Sequence, residues 1–425
     1  MKRIIPVLAF VLCCYSNSWS QSVTDTIKLD LPAAEKIFLD SNLSLLARHY
    51  DIDINRAFEK QARLWDNPYL LTDQTLYDGK WFRHGVENGV QYGQVYIQLQ
   101  QLIRTGGKRN NLIRLSQDNT LSSEAQFNDL MRNLHLLLVN NFNTLFQLQE
   151  TEKIFTRELL SIQQLVKGMD AQYALGNISL KENMRVKSLL YSLQSNRNSF
   201  QLQIIELQGE MRKLLAINDT IFIQPVINEV VNNYTSDISL AALIDSAQVN
   251  RPDIKLARTN QFFNQHNLAY QKALAYPDVT TGVEYDRLNS YVPNYWGLTI
   301  ALPLPVLNRN TGNIQAARLS VDQSAISLRE MANRVNQEVS AAYGKWKSLQ
   351  QLAKEVPPSL NQGYDQLAEK MFESYQQRQV SLVEFIDFFD AYREAKINQL
   401  LQHSMLRNSI ADINFTTASR IFTLR

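Results

Sequence analysis

The chain has 425 residues with 43 basic and 41 acidic side chains, a formal net charge of +2. That near balance excludes the strongly basic surface that nucleic-acid binding needs. The length suffices for a large core, and with only 14 glycines and 11 prolines long helices are favoured.

Lys2 and Arg3 precede an apolar run, Ile4 to Cys14, that is too short to span a bilayer. Ser18-Trp19-Ser20 then sets small residues where a signal peptidase reads them, so residues 1–20 read as a signal peptide cleaved before Gln21. Both cysteines, Cys13 and Cys14, fall inside it, and neither follows the small residue that lipidation requires. The mature chain is expected to hold no disulfide and no cysteine metal site. No later apolar stretch reaches the roughly 18 residues of a transmembrane helix, so any membrane insertion must use β-strands.

Residues 33–66 read as a helix ending before Pro68, and strands follow over about 69–79 and 91–103. Gly106 and Gly107 permit the turn into a very long helix, because 108–167 holds neither glycine nor proline. Leu130, Leu134, Leu137, Leu138, Leu145 and Leu148 give it an apolar stripe at three- and four-residue steps, the mark of a coiled-coil-like bundle. A break at 173–179 leads into a helix over 178–216. Residues 217–239 read as a β-rich or loose linker, with Asp237 or Ser239 placed to cap the next helix. The order then starts again. A helix over 241–275 precedes Pro277, strands over 277–287 and 294–304, and a proline- and glycine-marked turn with Gly312. A long helix over about 313–375, broken or kinked at Pro357-Pro358, precedes a break at 375–381 and a helix over 382–420.

The second half thus repeats the first: Pro277 lies 209 residues after Pro68, and Tyr375 lies 202 after Tyr173. The expected organisation is a signal peptide (1–20), a first repeat (21–216), a linker (217–239) and a second repeat (240–425).

The strands alternate. Val95, Ile97 and Leu99 face one way, and Gln94, Tyr96, Gln98 and Gln100 the other. Val279, Thr281, Val283 and Tyr285 oppose Asp278, Thr280 and Glu284, and Trp296, Leu298, Ile300 and Leu302 oppose Thr299 and Ala301. Apolar-out, polar-in strands of about ten residues suit an outer-membrane barrel. Tyr77, Trp81, Phe82, Tyr92, Tyr291, Tyr295 and Trp296 cluster at strand ends, as an interfacial belt would. Four strands cannot close a barrel, and an open edge in lipid leaves backbone groups unpaired. Strands placed in a membrane therefore require an oligomer, and three copies would give twelve.

This order resembles the TolC-like outer-membrane factors over essentially the whole mature chain. The segments that carry it are "WDNPYL" (65–70) with "LAYPDV" (274–279), "RTGGKRNN" (104–111) with "PLPVLNRNTGNI" (303–314), and "YALGNISLKEN" (173–183) with "YQQRQVSLVEFIDFFDAYREA" (375–395). The resemblance implies a mostly α fold with a membrane β-barrel portion. Two tandem repeats would build a homotrimer, with a twelve-strand barrel in the outer membrane over a twelve-helix periplasmic tunnel. It implies a passive exit duct in a Gram-negative cell envelope, touching outer-membrane lipid. A periplasmic adaptor (membrane fusion protein) and an inner-membrane pump would open it. The compact loops at 79–91 and 286–294 lean toward efflux of the resistance–nodulation–division type, exporting metal ions or small toxic molecules. Alternatives are the outer-membrane component of a type I protein secretion system, and a non-channel periplasmic coiled-coil structural protein.

The resemblance also assigns the two breaks to the periplasmic tips that meet the adaptor: Gly176, Asn177, Ile178 and Ser179 in one, Arg378, Gln379, Val380 and Ser381 in the other. Arg378 stands where the second repeat usually has a glycine. Glu384, Asp387 and Asp390 share one helical face by their three-residue spacing, and Glu384 and Asp387 fall at the family's lumen-facing acidic ring. Such a ring attracts cations and raises some of its own pKa values. Tyr375 and Glu182 match positions that latch the tip. Phe385, Phe388 and Phe389 read as helix packing. No catalytic set, nucleotide loop or cofactor site is expected, and the five scattered histidines offer no metal site.

Overall fold

The computed structural model describes residues 25–227, 238–289, 292–355 and 367–424, apart from 368, 369, 372, 376 and 378. The expected signal peptide, Asp237, Tyr291, Pro357, Pro358 and Arg378 lie outside these residues. In chain order the elements are β1 (Thr26–Leu29), α1 (Leu31–Ser41), α2 (Leu43–Ala62), β2 (Tyr69–Gln74), β3 (Gly85–Glu87), β4 (Val90–Tyr92) and β5 (Val95–Ile103). Then come α3 (Lys108–Ala174), α4 (Leu180–Leu215), β6 (Phe222–Pro225), α5 (Leu240–Asn250) and α6 (Pro252–Leu274). The last are β7 (Val279–Asp286), β8 (Tyr295–Ala301), α7 (Thr311–Glu355) and α8 (Leu382–Thr417).

The long helix forms as its composition dictates. α3 has 67 residues, which at 1.5 Å per residue is ~100 Å. It starts behind two glycines in left-handed backbone, Gly106 at φ 62° and Gly107 at φ 74°. In the second half the left-handed residue is Asn310, at φ 59°, and Gly312 lies inside α7. The turn into that helix thus rests on an asparagine, a residue that tolerates this region, rather than on the glycine.

The two shorter helical stretches are each split. Residues 33–66 hold α1 and α2, joined at Asn42, which is extended at ψ 113°. Its side chain accepts from Leu45 N at 3.0 Å and donates to Leu214 O at 2.8 Å, so one buried amide ends a helix, starts the next and ties both to α4. Residues 241–275 hold α5 and α6, joined at Arg251. Pro252 forces its predecessor out of helical backbone, and buried Arg251 spends the break binding Asp253 (2.5 Å) and Glu338 of α7 (2.6 Å).

The first part of the linker, through Pro225, is anchored. β6 pairs in parallel with β1, and the Gln208 amide brackets Ile223, donating to its carbonyl at 2.6 Å and accepting from its N–H at 2.9 Å. Three apolar clusters follow the helices. One gathers Leu31, Phe38, Leu138, Phe142, Leu145 and Met211 around α1, α3 and α4. A second gathers Leu243, Val335, Val339, Trp346, Ile410 and Phe422 around α5, α7 and α8. The third, near the far end of α3, gathers Phe155, Ile162, Val186, Leu193 and Phe385.

The longer strands form one antiparallel sheet in the order β2-β5-β7-β8, and a small β3-β4 hairpin stands apart. In register, Leu99 sits beside Val283, which sits beside Leu298, while Gln98 sits beside Glu284. The two faces therefore differ. One carries Ile97, Leu99, Val283, Trp296, Leu298 and Ile300, all exposed. The other is a polar lattice in which Tyr96 Oη (2.8 Å) and Gln98 Nε2 (3.0 Å) both donate to Glu284, and Gln94 Nε2 donates to Asp286 at 2.7 Å. Among the described residues both edges, β2 and β8, are open.

Sheet and helices meet at a bonded corner. Lys108, at the start of α3, donates to Asp278 (2.7 Å) and to Tyr276 O (2.7 Å). Asp278 also accepts from Thr105 N at 2.9 Å, and these donors with Arg104 outweigh the cost of desolvation and lower its pKa. The lysine after the two glycines is thus structural.

Candidate functional site

The far end of the long helices carries the residues of interest. The turn after α3 is closed by a backbone bond from Asn177 N to Gln172 O (2.9 Å), with Gly176 at φ 74°. A Cβ on Gly176 would meet nothing, so the backbone angle alone asks for glycine there. In the second turn Gln379 N bonds Ser374 O at 2.9 Å, the equivalent closure 202 residues on.

Each turn is followed by the same device. Ser179 Oγ accepts from Glu182 N at 3.2 Å, while Glu182 accepts from Ser179 N and Oγ, both at 2.9 Å. Ser381 Oγ accepts from Glu384 N at 3.3 Å, while Glu384 accepts from Ser381 N (2.9 Å) and Oγ (2.8 Å). These are capping boxes, legible as Ser-x-x-Glu in both breaks and missed by a reading that looked there for tip contacts and a charge ring. The hydrogen bond from the serine backbone, then the one from its hydroxyl, lowers the pKa of Glu182 and of Glu384. Within one chain two donors thus already hold the charge of Glu384, while the rise expected of the ring concerns carboxylates brought together from several chains.

The three spaced acids have three environments. Glu384 is exposed but committed to its cap. Asp387 is exposed and makes no hydrogen bond or ion pair among the described residues. Asp390 is half-buried and pairs with Arg393, which also reaches Glu158 on α3 at 3.3 Å. Tyr375 is half-buried, stacks on Phe385 with ring centres 4.7 Å apart, and directs its hydroxyl to Met169 Sδ at 3.6 Å. Burial, then the negative charge of Glu182, raises its pKa. Tyr375 and Glu182 are thus neighbours without a bond within one chain. Phe385 is fully buried and stacks on Phe389 at 4.5 Å, the packing expected of it.

The tip residues Gly176, Asn177, Ser179, Gln379 and Ser381 are exposed, with Ile178 and Val380 half-buried, beside the exposed apolar Leu175 and Leu180. The charges behind the turns are opposed. The helix after the first turn begins with Lys181, Glu182, Arg185 and Lys187, and the helix after the second with Glu384, Asp387 and Asp390.

No protein-family model matches the chain. The cobalt-zinc-cadmium resistance protein CzcC of Cupriavidus metallidurans is 22% identical over 314 residues, covering 72% of this chain and 70% of that protein. Among solved structures, the outer-membrane channel OprN matches with a TM-score of 0.71 at 14% identity, over 92% of this chain and 90% of that one. CusC, solved in a study of transmembrane channel formation, matches with a TM-score of 0.71 at 16% identity, over 92% of each chain. The fold is therefore that of the outer-membrane channels. None of the three proteins is described as an enzyme.

Proposed function

We propose that this chain, which has the fold of the TolC-like outer-membrane factors, is the outer-membrane exit duct of a tripartite efflux system. The observation that carries the reading is the four-stranded sheet, apolar on one face, polar on the other and open at both edges. Lipid leaves no partner for an open edge, so the edges must be closed by other copies. Three copies would make a twelve-strand barrel with the exposed apolar face in lipid and the Gln98–Glu284 lattice in the lumen. The helices would form the tunnel below it and the two turns its periplasmic end.

The duct is passive. An adaptor and an inner-membrane pump bind the open end better than the closed one, and that difference in affinity opens it. Glu384 and Asp387 would ring the constriction, Tyr375 would reach Glu182 between chains in the closed state, and Gly176–Ser179 with Arg378–Ser381 would meet the adaptor. The likeness to a cobalt-zinc-cadmium resistance protein favours the resistance–nodulation–division type of system, with metal ions or small toxic molecules as cargo.

The test is single-channel recording on the detergent-purified protein, with its oligomer mass measured in the same preparation. A trimer with small, cation-selective conductance is expected. A water-soluble monomer without conductance would overturn the duct and leave a periplasmic coiled-coil scaffold. Tyr375→Phe with Glu182→Gln should raise resting conductance, and an unchanged value removes the pair from the gate.

A further inference from the structure

Glu158 lies on α3 in the apolar cluster nearest the tips, with Phe155, Leu159 and Ile162 of its own helix, Leu193 of α4 and Phe385 of α8. Its side chain is 6% exposed. Oε2 accepts from Arg393 Nη1 of α8 at 3.3 Å. Oε1 is buried with no hydrogen-bond partner among the described residues. Arg393 turns its other nitrogen to Asp390, one turn back, and its guanidinium lies 5.8 Å from the centre of the Phe155 ring. The charged groups facing Glu158 are Arg393 and Asp390, both from α8. From α4 the cluster receives Val186, Leu189, Leu190, Leu193 and Phe200, none of them charged.

A carboxylate with one bare oxygen in such a place is costly to ionise, and an apolar side chain would pack there at less cost. α8 reaches the site through Arg393, whose guanidinium contacts the carboxylate. Any motion that lifts α8 off α3 hydrates this carboxyl. The same motion carries Arg393 and its partner Asp390, both on α8, away from Glu158.

We propose that Glu158, Arg393 and Asp390 form a proton-linked clamp, in which α8 stays on α3 while Glu158 holds its proton and leaves α3 as Glu158 enters water and releases it. The proposal rests on the tip gate of the preceding section and adds to it a group on α3 and a direction of pH dependence. Desolvation, the largest cause, outweighs the attraction of Arg393 and with Asp390 puts the Glu158 pKa up from 4.5 to about 7. In the lifted state the carboxyl returns toward its ordinary value. The closed state thus binds more protons, so acid favours closure and rising pH favours opening. Taking those two pKa values, the open-to-closed ratio per chain rises roughly tenfold between pH 6 and pH 8.

The experiment compares wild type with Glu158→Gln, which keeps the shape and the Arg393 contact but cannot ionise. Conductance is recorded from pH 6 to pH 8. On the same detergent-solubilised protein, hydrogen exchange of peptides over 382–398 is followed after correction for intrinsic exchange rates. Wild type should gain conductance and lose protection across this range, and E158Q should show neither step. Asp390→Asn should move both steps to lower pH. A wild-type channel whose pH step persists in E158Q overturns the clamp and leaves the duct standing. Absence of channels in every variant overturns the duct, and the exchange data still decide the clamp: protection that is flat with pH, or that falls equally in E158Q, sinks it.

Discussion

The two turns at the end of the helices are built alike and charged oppositely. Both are closed by the same backbone bond and followed by the same serine–glutamate box. Behind the first stand Lys181, Arg185 and Lys187, and behind the second Asp387 and Asp390. Arg185 and Asp387 occupy equivalent places, 202 residues apart. Local geometry and charge have therefore been set separately. The box holds the start of each helix whatever follows it, so the side chains one turn on can be chosen for other ends. In the duct reading those ends divide between the two turns, with the acidic helix lining the passage and the basic one facing outward.

The largest effect should come from charge. Glu384→Gln with Asp387→Asn should lower the cation-to-anion permeability ratio of channels in planar bilayers several-fold. Lys181→Gln with Arg185→Gln should leave it nearly unchanged, and equal shifts in the two doubles would show that both helices line the passage. Next is backbone strain: Gly176→Val, at φ 74°, should destabilise the first turn by about 1–2 kcal/mol. Local hydrogen exchange reads this as lost protection over 170–185, with the second turn unaffected. Ser179→Ala and Ser381→Ala should each cost about 1 kcal/mol of local stability. Equal losses of exchange protection would confirm that the boxes are equivalent, and a much larger loss at one would show that it also makes contacts to another chain.

The smallest effect concerns pH. Glu182 and Glu384 have folded pKa values below the ordinary 4.5. Their contribution is present above that value and is lost as pH falls through the lowered one. Both turns should loosen together in acid below about pH 4.5, and Glu182→Gln should remove that response from the first turn only.

Much of this architecture is legible in sequence because it repeats over short periods. Val95, Ile97 and Leu99 alternate with Tyr96, Gln98 and Gln100, and the two sets occupy opposite faces of the sheet. The absence of glycine and proline after Lys108 is enough to mark a helix of great length. The break at Arg251 was also there to be read, since the following proline excludes helical backbone. Asn42 gave less warning, because an asparagine within a helical pattern becomes a double cap only when Leu214 accepts its amide.

The candidate site divides the same way. Ser-x-x-Glu is local and could have been found in both breaks. The Glu158–Arg393 contact joins residues 235 apart and follows no period, so only packing reveals it. Asp390 reads in sequence as the third member of an acidic face, whereas Arg393, one turn on, draws it back into its own chain.

The open edges of the sheet have a genetic consequence. In the duct reading no copy completes its own barrel, since β2 and β8 would each take a strand from another copy. An allele that damages an edge while leaving the helices sound would still be recruited by intact copies and would spoil the assemblies it joins. Such alleles should be dominant, whereas truncations that prevent folding should be recessive.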